Sequence, residues 1–171
     1  MKVVDAVARI LKVEGAEFLS AYPTTPVIEA AAKIEIRPVL CRQERVGVGI
    51  ADGYARVKNG KPLAAFCMQY GPGAENAFPG VATAYSDSTP MLLLPLGHPR
   101  DRAQVFPLFS SARTYASVTK SVETITVGSH VADVMRRALS LMRMGRPGPV
   151  MVEIPADILN EEVPDALIEA Y

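Results

Sequence analysis

Glu44 is the residue whose type and position most suggest chemistry. It follows a short apolar run, Pro38 to Cys41, and opens a helical pattern of apolar residues that begins at Val46. Ligands of open α/β sheets bind at the carboxyl ends of the strands, and a carboxyl group there can move a proton. The structural alternative is that Glu44 only stabilises the positive end of the helix dipole.

A second polar segment, Gly71 to Asn76, follows the apolar run Leu63 to Met68 and opens another helical pattern. The amide groups at the start of a helix attract anions, and the two glycines allow a ligand to come close to the backbone. Asn76 stands where a dinucleotide fingerprint has its third small residue. The segment therefore indicates either a ligand-contacting loop or a tight turn.

Three other glycines, Gly47, Gly49 and Gly53, have nearly the spacing of a dinucleotide fingerprint. They lie inside a helical pattern, whereas the fingerprint requires a turn between a strand and a helix. We therefore predict that these glycines allow close packing of the helix and bind no phosphate.

The histidines and cysteines do not form a recognisable site. His98 and His130 have no partner at metal-ligand or catalytic-triad spacing, so we expect both at the surface. Cys41 and Cys67 lie in apolar runs, where thiols are usually buried in a reducing compartment. Neither a zinc site nor a disulfide scaffold is indicated, and we assign no metal ligand in the chain.

Short apolar runs alternate along the chain with helical patterns. The runs predict strands at Phe18–Tyr22, Pro38–Cys41, Leu63–Met68, Met91–Leu96 and Val150–Ile154. The helical patterns run from Val4 to a stop at Gly15, from Pro26 to Lys33, from Val46 to Asn59-Gly60, from Gly71 to Tyr85, and from an N-cap at Ser129 to Gly145. The segment His98 to Ser111 lacks a period and is predicted to be a long loop.

This alternation is typical of the α/β class. We predict a single three-layer domain with a mostly parallel sheet of about six strands and helices on both faces. The tail contains five acidic residues and no basic one after Ala156, which is typical of a solvated linker (Asp157, Glu161, Glu162, Asp165 and Glu169).

Composition excludes several classes of protein. The 171 residues are 49% hydrophobic, so the chain can bury a core. Because 18 basic residues balance 18 acidic ones, there is no net positive charge to attract a nucleic acid or an anionic membrane. There is no signal peptide pattern and no apolar run of the roughly 20 residues that a membrane span needs. We expect a cytoplasmic chain without nucleic-acid or membrane partners.

Several segments together resemble a known family, in order and over essentially the whole chain. They are Arg42-Gln43-Glu44, Ala51–Arg56, Gly71–Asn76, Ala82–Asp87 and Gly145–Pro155. The pattern resembles the N-terminal, pyrimidine-binding (Pyr) domain of acetolactate synthase-like enzymes that use thiamine diphosphate.

The resemblance implies roles for individual residues. Glu44 would hydrogen-bond a nitrogen of the aminopyrimidine ring and favour its imino tautomer, which removes the proton from the thiazolium carbon. The cofactor then allows a 2-oxo acid to be decarboxylated or joined to a second carbonyl compound. Other cofactor contacts would come from Pro23, Thr24, Thr25, Gln69, Pro72 and Asn76. On the substrate side would lie Gln43 and Phe106, although Phe106 could equally belong to the core under a loop.

The chain departs from acetolactate synthases at positions that a substrate would meet. Gln43 replaces a histidine, Thr24-Thr25 replaces two glycines, and Phe106-Pro107-Leu108 replaces Phe-Gln-Glu. Polar groups of this kind decide discrimination between substrates. The resemblance therefore leaves the particular 2-oxo acid open.

The Gly-Asp-Gly motif by which the family binds Mg²⁺ and the cofactor's diphosphate is not in this sequence. We therefore expect a thiamine diphosphate-binding domain at residues 1–157 and an acidic linker at 158–171 that leads toward a missing domain. That diphosphate-binding domain would lie in the same polypeptide or in a partner subunit, within a homodimer or tetramer. This chain alone would be inactive.

Two other functions stay open at this point. One is a nucleotide- or NAD-binding α/β domain that uses Gly71 to Gly73 for phosphate. The other is a non-catalytic assembly domain, whose interface would include the apolar loop residues Phe106, Leu108 and Phe109.

Overall fold

A computed structural model describes residues 1–103 and 105–171 of the chain. Six strands form one sheet in the order β2-β1-β3-β4-β6-β5, and every neighbouring pair is parallel. The strands are β1 (Phe18–Ala21), β2 (Arg37–Leu40), β3 (Ala65–Met68), β4 (Leu92–Gly97), β5 (Ser121–Thr124) and β6 (Val150–Pro155). The predicted α/β class and the mainly parallel sheet are confirmed.

Helices cover both faces of this sheet. They are α1 (Val3–Val13), α2 (Val27–Lys33), α3 (Glu44–Lys58), α4 (Pro72–Ser86), α5 (Ser111–Tyr115), α6 (Val131–Arg143) and α7 (Ala166–Glu169). Buried residues of α1, α2, α6 and α7 form one apolar cluster, and those of α3, α4 and α5 form most of the other. Successive strand residues alternate between the clusters, as Phe66 and Cys67 do, because side chains of a strand point to opposite faces.

The five predicted strands are all present, but β5 was missed. Its residues Ser121 to Thr124 are all half-buried and include three polar side chains. It lies at the edge of the sheet. Because Val122 is its one apolar residue, it lacks the continuous hydrophobic run that marks a buried strand.

The predicted N-cap at Ser129 is wrong. A short 3₁₀ turn covers Gly128–His130, and His130 stands at the N-cap position of α6 without a side-chain hydrogen bond. The chain thus enters α6 through a 3₁₀ turn. Such turns are frequent at the start of α-helices, and their hydrogen bonds can pair amide groups that a side-chain cap would otherwise satisfy.

The glycines of α3 do not share one role. A Cβ at Gly47 would lie 2.3 Å from Phe66 Cε2, which confirms close packing against β3, whereas Gly49 and Gly53 are exposed and face open space. For those two the prediction of close packing is wrong, because they lie on the solvent side of the helix.

The C-terminal segment 158–171 packs against α1 and α6, which differs from the expected solvated linker. Ile158, Leu159, Val163 and Ile168 are buried in the same apolar cluster as α1. The acidic side chains between them point outward, so charge counting along the segment missed the apolar positions that anchor it.

Both cysteines are buried and free, as predicted. Within residues 1–103 and 105–171, no helix combines the length and the apolar character needed to cross a bilayer. The loop predicted between His98 and Ser111 includes position 104, which lies outside the described residues.

Candidate active site

The candidate site lies where the chain leaves the centre of the sheet in opposite directions. From β1 the chain passes through α2 to β2, and from β3 it passes through α4 to β4. Because α2 and α4 lie on opposite faces, the carboxyl ends of β1 and β3 border a crevice, and such a switch point is where open α/β sheets bind ligands.

Glu44 reaches this crevice from the first turn of α3. Only 7% of its surface is exposed, and its Oε2 accepts a hydrogen bond of 2.9 Å from Asn76 Nδ2 of α4. Its other oxygen, Oε1, accepts no hydrogen bond from any residue that the structure describes. A buried carboxyl group thus keeps one oxygen available for a further partner.

The turn before α4 fits closely against this carboxyl group. Gly71 has a φ of +58°, which favours glycine, and Pro72 follows as the first helical residue. A Cβ at Gly73 would lie 3.0 Å from Glu44 Oε1 and 3.0 Å from Gln69 Cβ. The segment is therefore a ligand-side loop whose shape depends on glycine, and a phosphate at Gly73 would meet a carboxylate.

The turn after β1 contains a buried hydroxyl group that has no hydrogen-bond partner in the described part of the chain. Thr25 is buried and its Oγ1 accepts from the Val27 amide at 3.3 Å. Thr24 Oγ1 is buried and has no hydrogen-bond partner among residues 1–103 and 105–171. With the exposed Pro23, these residues line a cavity of about 350 Å³ beside Leu40; Glu44 is not among its lining residues.

Tyr115 of α5 contacts the first turn of α4, next to the site. The sequence did not predict this contact. Its hydroxyl donates to the carbonyl of Ala74 at 2.6 Å, and its ring meets Phe78 edge-on at 5.4 Å. Burial, together with the charge of Glu44, raises the pKa of Tyr115. The five-residue helix α5 that carries it is too short to give a periodic signal.

The two substrate-side candidates are exposed. Gln43 precedes α3 in extended conformation and its side chain does not cap the helix. Phe106 is 93% exposed, so its interpretation as a core residue under a loop is wrong. The role of both residues toward a substrate stays a prediction.

His98 lies deeper than predicted, whereas His130 is exposed. The His98 ring contacts Tyr70 at 4.5 Å, and its Nε2 is buried without a hydrogen-bond partner in the described chain. Tyr70 follows Gln69 in the turn before α4. The sequence predicted that His98 follows a strand, but not that its Nε2 atom is buried.

The residues gathered here suit the polar edge of an aminopyrimidine ring. Such a ring presents nitrogen donors and acceptors, and the crevice offers the Glu44 carboxyl oxygen that accepts no hydrogen bond from the described residues, beside the amide side chain of Asn76. The glycine-lined turn beside them allows a flat ring to approach the backbone.

Comparison with protein families gives an independent result. Residues 1–117 match the family described as "Thiamine pyrophosphate enzyme, N-terminal TPP binding domain". The match includes β1 to β4 and the whole of the crevice described above.

Curated relatives point the same way. The chain is 30% identical over 169 residues to the probable acetolactate synthase large subunit of Methanocaldococcus jannaschii, covering 95% of this chain and 28% of the relative. It is 32% identical over 167 residues to the acetolactate synthase large subunit of Haemophilus influenzae (91% and 28%), and 34% identical over 166 residues to the chloroplastic acetolactate synthase of Arabidopsis thaliana (92% and 24%). The chain spans about a quarter of the length of these relatives.

Proposed function

The chain belongs to the thiamine pyrophosphate enzyme family as an N-terminal TPP-binding domain, and from this premise we propose that Glu44 is the group that holds the aminopyrimidine ring. The observation that carries the proposal is the buried Glu44 carboxyl group, fixed by Asn76 and facing Gly73 at the switch point of the sheet.

Each neighbouring residue has a proposed part in this binding. Asn76 positions Glu44 by donating to Oε2, which leaves Oε1 to share a proton with a ring nitrogen. Gln69 and Pro72 border the ring beside Gly73, and the Thr24 hydroxyl supplies a hydrogen bond from the turn after β1. Pro23 and Thr25 shape that turn.

When bound, thiamine diphosphate supplies a nucleophilic thiazolium carbon and an electron sink for chemistry on 2-oxo acids. Glu44 holds or releases one proton at a pyrimidine nitrogen, and its burial keeps water from competing for that proton. Relatives named acetolactate synthase support an enzyme that decarboxylates or ligates 2-oxo acids.

The complete enzyme would need a second domain. We propose that this domain binds the diphosphate and Mg²⁺, that it lies in the same polypeptide or in a partner subunit, and that the assembly is a cytoplasmic homodimer or tetramer. Gln43 and Phe106 would face the substrate. Residues 1–157 would be the cofactor domain, and the segment 158–171, which packs against α1, would lead on to the next domain.

The proposal is tested by Glu44→Gln in the complete enzyme. We expect the exchange of the thiazolium proton of added thiamine diphosphate with deuterium to slow by roughly 10²–10⁴-fold, the usual contribution of a general acid or base. Glu75→Gln is the matched control, because Glu75 lies in the first turn of α4 but is exposed. Its exchange rate should equal that of the wild type.

Near wild-type exchange in Glu44→Gln, with an intact fold by circular dichroism, would overturn the assignment of Glu44. Binding of NAD that is lost in Gly73→Ala would instead support the nucleotide-binding alternative. A stable oligomer without cofactor affinity, even with the diphosphate-binding domain supplied, would support the assembly alternative.

A further inference from the structure

A second cavity lies at the edge of the sheet opposite to Glu44. Its volume is about 390 Å³, which is the size of a small-molecule site. The segments that enter β4, β5 and β6 border it, so it lies at the amino ends of these parallel strands, whereas Glu44 follows the carboxyl end of β2. Among the described residues that line it, two are basic and none is acidic (Tyr85, Ser86, Ser88, Lys120, Arg146 and Pro147).

Arg146 carries a charge that no carboxylate balances. Its Nε donates to the Ser88 hydroxyl, and its Nη2 donates to the Ser86 carbonyl at 3.2 Å. In the described part of the chain the guanidinium group has no further partner, so other N–H groups of its planar fork stay available. Because both acceptors are neutral and line the cavity, the charge can attract an anion there.

The acidic residue of the same turn, Asp87, is bound to a different base. It lies between Ser86 and Ser88, and its carboxylate forms an ion pair of 2.8 Å with Arg56 Nη2 of α3. Asp87 is not among the residues that line the cavity. The turn therefore presents its two serines, and not its carboxylate, to Arg146.

Lys120 is the second cation, and contacts along its whole length hold it in place. Its amide donates to the Pro149 carbonyl at 2.8 Å, and its side chain lies over Gly148, where a Cβ would come within 3.1 Å of Lys120 Cγ and Cδ. Its Nζ donates to the carbonyls of Leu141 and Met144 at the carboxyl end of α6. Since an ammonium group has three N–H donors, one is left for a ligand.

The remaining lining supplies a hydroxyl donor and apolar surface. Ser88 Oγ accepts from Arg146 and donates to no described residue, so its proton is available to an acceptor. Tyr85 is 44% exposed and borders the cavity together with Pro147. The cavity thus combines donors and positive charge with a surface on which an organic group can pack.

We propose that this cavity binds the phosphate group of a small anionic molecule, between Arg146 and Lys120 and with the Ser88 hydroxyl as a further donor. The dianion of a phosphate ester presents only acceptor oxygens, which match N–H and O–H donors, and arginine is well suited to phosphate. Tyr85 and Pro147 would contact the group that the phosphate carries. Since the cavity and the cofactor crevice lie at opposite edges of the sheet, this inference does not depend on the proposed function.

The test is a titration of the full chain with inorganic phosphate and with AMP at constant ionic strength, above about pH 7, where phosphate is mainly a dianion. In the backbone ¹H–¹⁵N spectrum we expect saturable shifts of the Ser88 and Gly148 amides, with no change for Gly73 and Asn76 at the start of α4. Equal affinity for both probes would identify free phosphate as the ligand, and tighter binding of AMP would identify a phosphate ester. Either result supports the site.

Two variants each remove one charge. Arg146→Gln and Lys120→Met should each weaken phosphate binding by about tenfold or more, as expected for a lost charged hydrogen bond. The methionine keeps an apolar stem over Gly148, and the amide spectrum verifies the fold. Arg37→Gln is the matched control, because Arg37 is exposed on β2 and lies outside the cavity. It should bind phosphate like the wild type.

The proposal is overturned if neither probe gives saturable shifts, or if the start of α4 shifts as much as the cavity does. It is also overturned if Arg146→Gln retains full affinity; Arg146 is exposed, so this variant decides even if Lys120→Met does not fold. Equal weakening by Arg37→Gln would attribute binding to overall charge and overturn it too. None of these results affects the assignment of Glu44, which proton exchange tests separately.

Discussion

At the scale of single residues, Glu44 is held by two neighbours that act differently. Asn76 fixes its Oε2 by a hydrogen bond of 2.9 Å, and Gly73 leaves room for Oε1 because it has no side chain. The carboxyl group is thus oriented before any ligand arrives, which is the arrangement that a proton-transferring residue requires.

A half-buried carboxyl group, that of Glu153, predicts a pH dependence of stability. Burial raises its pKa above the ordinary value of 4.5, so above pH 4.5 the folded state retains a proton that the unfolded chain releases. The contribution of Glu153 to the free energy of unfolding therefore falls as pH rises through this window.

Replacing Glu153 with Gln removes that titration and keeps an oxygen to accept from Thr124. We expect a higher melting temperature than the wild type at pH 7, with the difference shrinking toward pH 4. Thermal unfolding followed by circular dichroism at several pH values measures it. Glu169→Gln should follow the wild-type curve, and a gain that is the same at every pH would contradict the assignment.

At the scale of elements, α3 packs closely against the sheet and against α4 because glycines lie at the contacts. Gly47 of α3 leaves room for Phe66 of β3, and Gly80 of α4 leaves room for Val48 of α3, where a Cβ would lie 2.3 Å from Val48 Cγ1. These contacts set the depth at which both helices lie. The starts of the same helices carry Glu44 and Asn76, so the packing also sets the geometry of the site.

Two alanine substitutions in α3 should therefore have opposite effects. Gly47→Ala should lower the free energy of unfolding by about 1–3 kcal/mol through overpacking against Phe66. Gly49→Ala, at an exposed position with open space, should raise it by about 0.5–1 kcal/mol because alanine favours the helix. Urea unfolding of both variants measures the difference. Equal effects would contradict the orientation of α3 in which Gly47 faces the sheet and Gly49 faces solvent.

At the scale of the whole molecule, the C-terminal segment closes the domain against its first helix. The amide groups of Val3 and Val4 donate to the carbonyls of Glu161 and Leu159 at 3.0 and 3.1 Å. Ile158 is fully buried in the same cluster as α1. The acidic residues of the segment remain at the surface around this apolar anchor.

Ile158→Ala should consequently lower the free energy of unfolding by about 2–5 kcal/mol, as buried isoleucines do elsewhere. Val57→Ala, at a position that is 84% exposed, should change it by no more than about 0.5 kcal/mol. Thermal or urea unfolding distinguishes the two outcomes. A small effect of Ile158→Ala would mean that the segment is a solvated linker after all.

Local patterns determined much of this molecule in advance. The periods of apolar residues predicted the four inner strands, the edge strand β2 and the main helices, because each period reflects burial of one face of one element. Glycine and proline marked the turn at Gly71–Gly73 in the same local way. Glu44 could be singled out because its place at a strand end followed from those elements, and the motifs around it carried the resemblance to the family that the comparisons confirmed.

Only the tertiary structure decided which distant residues meet. Asn76 lies 32 residues from Glu44, and Tyr115 lies 41 residues from the carbonyl it contacts. The partial burial of His98, the exposure of Phe106 and the burial of Ile158 depend in the same way on which segments cover them. A periodic pattern states that a side chain is apolar or polar, but its neighbours are set by how the layers pack.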